Sequence, residues 1–437
     1  MTWHRRPVAP GNHIGTDASV AGPDQTLGTG TARAVLLVTI LVVAANLRPT
    51  ITALGSVVGL VAADTGMGAG AIGLLGAVPL LAFAVVSPIV HVLTRAMGAE
   101  RAVLVSTLVL IVATVVRSLP GSLANLWIGT VVMGAAIAVG NVVVPELVKR
   151  DFATDVPLVT GLYSTVLGAT AAVASGLALP IAEIGGWRLG IGIWVLLSVV
   201  AALVWALRMR GSAMGRSAER EPEETPGSPP VGGGTGRSVW RSAVAWQVSL
   251  IMATQGLTYF MLVTWLPTIE VVSLGVDPVT AGWHSFLYQI VGIAAGLGVT
   301  PFMRARSDHR AVGVVISLLL VVAVLGLLFA PDLLVLWLVV AGLSGGSSLV
   351  LALALVGERS PSATDAGRLS GMAQSVGYLL AAAGPFGAGV LFAATGSWSY
   401  PLLAVIAVAI FQLVLSLLAG RDRLTHQAEP DAASTKA

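Results

Sequence analysis

Apolar residues along this chain come in long runs rather than in the short alternations of a water-soluble fold. Runs near 34–63, 70–94, 102–119, 123–147, 157–182, 188–209, 243–269, 279–303, 311–330, 333–356, 368–394 and 400–419 are each close to the roughly 20 residues that carry a helix across a bilayer. The pattern predicts an all-α membrane protein of twelve transmembrane helices. Most polar breaks between runs are short. The exception is 211–242, with Glu221-Pro222-Glu223-Glu224 and Gly227-Ser228-Pro229-Pro230-Val231-Gly232-Gly233-Gly234, which reads as a flexible linker. It separates a six-helix half at 34–210 from another at 243–420. Residues 1–33 are polar and lack the basic-then-apolar layout of a cleaved signal. They are expected to be a disordered cytoplasmic tail, with 421–437 as a second tail.

Charge placement fixes the expected orientation. With the N-terminus inside, all of the 24 lysines and arginines except Arg48, Arg117 and Arg188 fall in inner loops, tails or the linker. A missed span would invert every later loop, so the bias also supports twelve spans. Both termini are expected in the cytoplasm, with the chain multi-pass in the plasma membrane. Internal resemblance adds to this. Arg95 and Arg101 recur as Arg304 and Arg310. Ala153-Thr154-Asp155 with Gly161 recurs as Ala363-Thr364-Asp365 with Gly371, and Gly185-Gly186-Trp187 as Gly396-Ser397-Trp398. The offsets are nearly constant and in order, which predicts two parallel six-helix pseudo-repeats with a site between them.

At 56% hydrophobic and 10% charged residues, the chain is too greasy for a soluble domain. The absence of cysteine excludes disulfides, thiolate metal sites and a thiol nucleophile. No Gly-x-x-x-x-Gly-Lys-Ser/Thr loop and no His-Glu-x-x-His helix is present. An enzyme, direct ATP drive and a resident metal are therefore not expected, and no cofactor is implied.

The most informative stretch is Asn46-Leu47-Arg48-Pro49-Thr50, inside the first span. Arg48 lies roughly 21 Å along the helix from Ala34, near mid-membrane. A guanidinium there costs about 2.5–3.5 kcal/mol on insertion scales and cannot shed its proton. An anion, backbone carbonyls or a wet cavity must offset that. Pro49 removes a donor and frees the Ala45 carbonyl. A broken helix beside a buried cation suits a solute site or gate; pairing with a helix end is the structural alternative. Arg48 has no copy in the second half: the repeat offset of 209 lands on Leu257, close to Gln255 and Tyr259, so the site is expected to be asymmetric.

Other membrane polar groups come in i,i+4 pairs sharing a helix face: Gln255 with Tyr259, His284 with Tyr288, and Gln374 with Tyr378. Asn46, Asn141 and Tyr163 complete the candidate solute site. Each could instead be interhelical glue. Glu146 beside Lys149 and Arg150 reads as a local ion-pair partner. Trp127, Trp187, Trp265, Trp283 and Trp398 read as belt anchors at outer span ends, Trp265 also as a cavity wall. No mid-membrane carboxylate stands out as a proton carrier, which leaves the solute itself or His284.

Three stretches resemble the cyanate permease and 2-nitroimidazole transporter family, a branch of the major facilitator superfamily. They are Asn46-Leu47-Arg48-Pro49 with Ile51-Thr52; the run from Gly134 to Pro145 continued by Lys149-Arg150-Asp151-Phe152 and Thr160-Gly161-Leu162-Tyr163; and Trp265-Leu266-Pro267. The resemblance implies alternating-access transport of a small, anionic or nitro-bearing solute. It also implies a cavity lined by spans one, two, four, five, seven, eight, ten and eleven. Arg95, Gly98 and Arg101 match the basic inner loop after the second span, while Thr94 stands near the superfamily's usual acid. The expected partners are a small solute and the bilayer, without nucleic acid, and the chain is expected to act as a monomer. Two other readings are a multidrug-type exporter, which would want a membrane carboxylate for cations, and a non-transporting sensor, which would want a signalling domain.

Overall fold

The computed structural model describes residues 23–216, 239–304, 307–421 and 425. Most of the expected linker and of both tails lies outside the described residues. Thr39–Ala437 makes up one packed unit; residues up to Val38 form a second and carry the start of the first helix.

Fifteen α-helices follow one another, with no strand among the described residues. The first span is α1 (Pro23–Ala44) and α2 (Pro49–Thr65), and the second is α3 (Ala69–Val86) and α4 (Val90–Met97). Then come α5 (Ala99–Ser118), α6 (Leu123–Asp151), α7 (Val156–Gly192) and α8 (Val195–Arg216). After the linker follow α9 (Ala243–Leu274), α10 (Pro278–Arg304), α11 (Arg310–Phe329) and α12 (Leu334–Glu358). The eleventh span is α13 (Ala363–Ala381) with α14 (Ala383–Thr395), and α15 (Ser399–Ala419) is the twelfth. Eleven of these spans are long and apolar enough to cross a membrane among the described residues, and α8 stands in the sixth place.

Prolines explain why three spans are split. Pro49 and Pro88 sit at the first turn of the element after each break. Pro385 removes the donor that the Ala381 carbonyl would use, where α13 gives way to α14. Glycines make the matching turns of the pseudo-repeats. Inside α7, Gly185 and Gly186 leave helical geometry, Gly186 with φ 80 and ψ 165, between the fifth and sixth spans. Gly396 has φ 68 between α14 and α15. Only glycine takes these left-handed values without strain.

Helices before the linker pack on one another chiefly as α5 on α6 and α2 on α7; those after it as α10 on α12, α9 on α13 and α11 on α15. The two sets meet through α7 on α10, α3 on α13 and α14, and α2 on α9. Small residues let backbones touch at these crossings, as membrane packing favours. Gly55 rests against the Val263 carbonyl, Gly73 against the Pro385 carbonyl and Gly389 against the Ala69 carbonyl. All three contacts lie on the side of Arg48 toward Thr65. At the other end, positions where a Cβ would project from Gly161, Gly298 and Gly371 meet open space.

Several details depart from expectation. The first helix begins at Pro23, within the segment read as a tail, because a proline is tolerated in a first turn. Arg117 is not in an outer loop: it ends α5 with its guanidinium turned inward and 1% exposed. Trp187, Trp265 and Trp398 are buried rather than lipid-facing. Each indole of the first two has a polar partner, Trp187 donating to the exposed Asp64 at 3.0 Å and Trp265 to the buried Pro385 carbonyl at 2.8 Å. Glu146 is exposed without an ion pair among the described residues; Arg150 binds Glu100 at 3.1 Å and Asp151 at 2.5 Å instead.

Candidate functional site

Four non-helical turn residues, 45–48, separate α1 from α2, and Pro49 opens α2 with Arg48 as its N-cap. The Arg48 side chain crosses toward α9, with its guanidinium carbon 5.3 Å from the Phe260 ring centre, within cation–π range. Its Nε and Nη1 are buried and have no hydrogen-bond partner among the described residues. No carboxylate pairs with it there. Tyr163 of α7 and Tyr259 of α9 are the tyrosines nearest to this charge.

An aromatic wall continues from there. The Tyr259 ring meets Phe260 edge-on at 5.2 Å and lies 6.2 Å from Tyr288 of α10. Tyr378 of α13 meets Phe83 of α3 edge-on at 5.2 Å and is close enough to act on Tyr163. Tyrosines from α7 and α9 thus lie near one arginine of the first span, and those from α10 and α13 extend the aromatic wall beyond them. The i,i+4 spacing that singled out Tyr259, Tyr288 and Tyr378 brings all three to this wall.

The neutral candidates are placed unevenly. Asn46 is 3% exposed; its Nδ2 donates to the Val42 carbonyl at 2.8 Å and its Oδ1 is left without a partner. Asn141 follows Gly140, where α6 passes against Leu47, and its Nδ2 is also an orphan. Gln255 is buried one turn before Tyr259. Gln374 donates back to Ser370 at 2.9 Å along its own helix. His284 does not join the group: it hydrogen-bonds Glu270 at 2.6 Å. The Tyr288 hydroxyl points at Gly345 of α12.

Three residues at or near the site escaped the sequence reading. Thr50 is buried with an unpartnered hydroxyl beside Arg48. Phe260 follows Tyr259 and has no polar group to single it out in the sequence. Glu270 fell just past the expected end of the seventh span at 269, yet α9 continues to Leu274 and the carboxylate is 0% exposed. Beyond the site toward Thr65, a polar seam joins three helices. Thr52 donates to the Ala171 carbonyl at 3.0 Å, Ser56 to the Ser175 carbonyl at 2.6 Å, and Gln289 to the Ser175 hydroxyl at 2.7 Å.

An all-α bundle of two six-helix pseudo-repeats with an arginine at the break of its first span is the architecture of a membrane transporter. Sequence comparison agrees: the Major Facilitator Superfamily profile matches residues 36–338 and 273–436. The 2-nitroimidazole transporter of Escherichia coli K12 is 35% identical over 396 residues, 90% of this chain and 98% of that one. The cyanate transport protein CynX of the same organism is 26% identical over 388 residues, 86% and 96% of the two chains. Among solved structures, an inward-facing, unoccupied bacterial homologue of the human lysosomal transporter Spinster superposes with a TM-score of 0.71. It shares 16% identity and covers 91% of this chain and 99% of that one. The chain belongs to the Major Facilitator Superfamily, in the branch of cyanate permease and 2-nitroimidazole transporters. It is a multi-pass membrane protein whose named relatives are transporters rather than enzymes.

Proposed function

We propose that this protein is a secondary active transporter that moves a small anionic or nitro-bearing solute by alternating access, with Arg48 as the anchor for the solute's negative end. The observation that carries this reading is a half-buried guanidinium whose Nε and Nη1 are buried and unpartnered among the described residues, placed at the N-cap of α2. Orphan donors on a buried cation are costly, and a bound anion removes that cost. The helix N-terminus adds partial positive charge in the same place. Tyr163, Tyr259 and Tyr378, with Asn46 and Asn141, would grip the planar remainder of the solute through hydrogen bonds and ring faces. Gln255, Tyr288 and Gln374 would support this wall; His284 stands one turn from Tyr288 and acts from a distance.

The names of the relatives support the solute class: one is a 2-nitroimidazole transporter and another a cyanate transport protein. Both solutes offer a compact, electron-rich oxygen or nitrogen end to a guanidinium fork. In this reading the halves 34–210 and 243–420 rock about Arg48. The glycine crossings Gly55–Val263 and Gly73–Pro385 form the outer seal, and the end with open space at Gly161 and Gly371 faces the cytoplasm. The distribution of lysine and arginine supports that orientation, with both termini inside the plasma membrane.

The test is uptake by proteoliposomes across a panel of cyanate, 4-hydroxybenzoate, 2-nitroimidazole and a lipophilic cation, with and without a pH gradient. Saturable movement of an anion or nitro-heterocycle is expected. Movement of the lipophilic cation alone would favour a multidrug exporter.

A further inference from the structure

The buried Glu270–His284 pair has no part in holding the solute. Glu270 lies in the last turns of α9, three residues after Pro267, and its carboxylate side chain is 0% exposed. Its Oε2 shares a 2.6 Å hydrogen bond with His284 Nδ1 of α10, while Oε1 is buried with no partner. The carboxylate borders a cavity of about 280 Å³ lined by Leu266, Ser273, Leu327, Trp398 and Ser399, among others. The Trp398 indole nitrogen is another buried orphan. His284 is the titratable group facing Glu270; the other residues lining the cavity carry none.

The fold does not require this pair. Shifting by the 210-residue repeat offset places Leu60 and Leu74 at the equivalent first-half positions. Two leucines serve there, and a buried ion pair is seldom more stabilising than apolar side chains of similar size. What a glutamate and a histidine can do, and leucines cannot, is change charge.

We propose that Glu270 and His284 together form the exchangeable proton site that couples transport to a pH gradient. This rests on the transporter reading above. The pair is net neutral with one proton, whether the carboxyl or the imidazole holds it. Releasing that proton to water leaves a net charge of −1 in a dry place, which the closed packing of α9, α10 and α15 resists. Proton occupancy and closure of this end are therefore linked. The link can reach the solute. His284 and Tyr288 share one face of α10, the Tyr288 ring lies 6.2 Å from Tyr259, and Tyr259 meets Phe260, over which the Arg48 guanidinium sits.

The test reads the proton directly. Infrared difference spectra of the purified full chain in lipid nanodiscs are recorded across about pH 5 to 9, where a coupled buried pair titrates. Wild type should show a titrating carboxyl–imidazole signal that Glu270→Gln abolishes. His284→Gln should shift its midpoint by about one pH unit or more, because the midpoint belongs to the pair. This second variant decides the matter if Glu270→Gln does not fold. In proteoliposomes with 2-nitroimidazole or cyanate as probe, Glu270→Gln should accumulate the same amount with and without the gradient. A spectrum identical in wild type and Glu270→Gln, a midpoint unmoved by His284→Gln, or gradient-driven accumulation retained by Glu270→Gln would each overturn the proposal. Neither probe moving in wild type would count against the transporter reading alone, and the spectra would still decide the proton site.

Discussion

Arg117 Nη1 donates to the Thr50 carbonyl at 2.6 Å, one residue past the proline that breaks the first span. The same nitrogen lies 3.5 Å from the Met133 sulfur, and Gly129 of α6 packs on the Arg117 backbone. A second buried arginine thus fixes the first turn of α2 from behind, while Arg48 at its N-cap faces the site. One cation holds α2; the other has two donor atoms without a protein partner among the described residues.

Arg117→Leu should therefore weaken function more than folding. A hydrogen bond from a charged donor contributes about 1.5–3 kcal/mol, but removing a buried, uncompensated cation offsets much of this. The melting temperature should move by a few degrees at most. Uptake should fall about tenfold or more, since a site held loosely by a fraction of an ångström loses its grip. Arg117→Lys should fall between. Wild-type uptake in Arg117→Leu would mean that packing alone positions α2.

Gly55 faces the Val263 carbonyl, which Pro267 four residues on leaves without its helical donor. Gly55→Leu would drive a side chain into backbone, an overpacking cost of about 1–3 kcal/mol. That cost applies only while α2 and α9 are closed together, so the open-outward state should gain by about tenfold. Thr264, 7% exposed beneath this contact, reports it. A single cysteine there should react faster with an impermeant maleimide in the Gly55→Leu background. Equal rates in both backgrounds would show that the seal lies elsewhere.

Spans, repeats and the central arginine were legible because they rest on strong local signals: run length, charge bias and a cation where none should be. The i,i+4 spacing also placed Tyr259 and Tyr288 ring to ring, since helical spacing fixes which residues share a face. What stayed hidden depended on neighbours far along the chain. Arg117 read as a loop residue because its position at a span end says nothing about the inward turn of its side chain. Trp187 and Trp265 read as belt anchors because their hydrogen-bond partners, Asp64 and the Pro385 carbonyl, are more than a hundred residues away. Glu270 was missed by the difference between an apolar run ending at 269 and a helix running to Leu274.

The orientation can be tested on a chain without native cysteine. Single cysteines at Ser122, Ser273 and Ser397 should react with an impermeant maleimide from outside intact cells, and those at Ser217, Ser307 and Ser362 only after permeabilisation. Ser122, Ser273, Ser307 and Ser362 are all exposed, so a missing signal cannot be put down to burial. The reverse pattern would invert the bundle and with it the sense of the seal.

Arg48 carries the sharpest prediction. Its Nε and Nη1 have no protein partner among the described residues, so no ion pair breaks when it is removed. Arg48→Ala should insert and purify like wild type, because losing a membrane-buried cation relieves an insertion cost of about 2.5–3.5 kcal/mol. The same change should abolish solute binding and uptake. Arg48→Lys keeps the charge but not the planar fork, and its shorter, hydrated head should lose most of the affinity for a two-oxygen end such as a nitro group. A compact anion such as cyanate, which needs one contact, should suffer less from the lysine change than 2-nitroimidazole. Calorimetric binding and proteoliposome uptake measure both. Misfolded Arg48→Ala would make the residue structural, with Phe260 and the neighbouring hydroxyls as its partners. A folded Arg48→Ala that transports normally would remove the anchor from the mechanism.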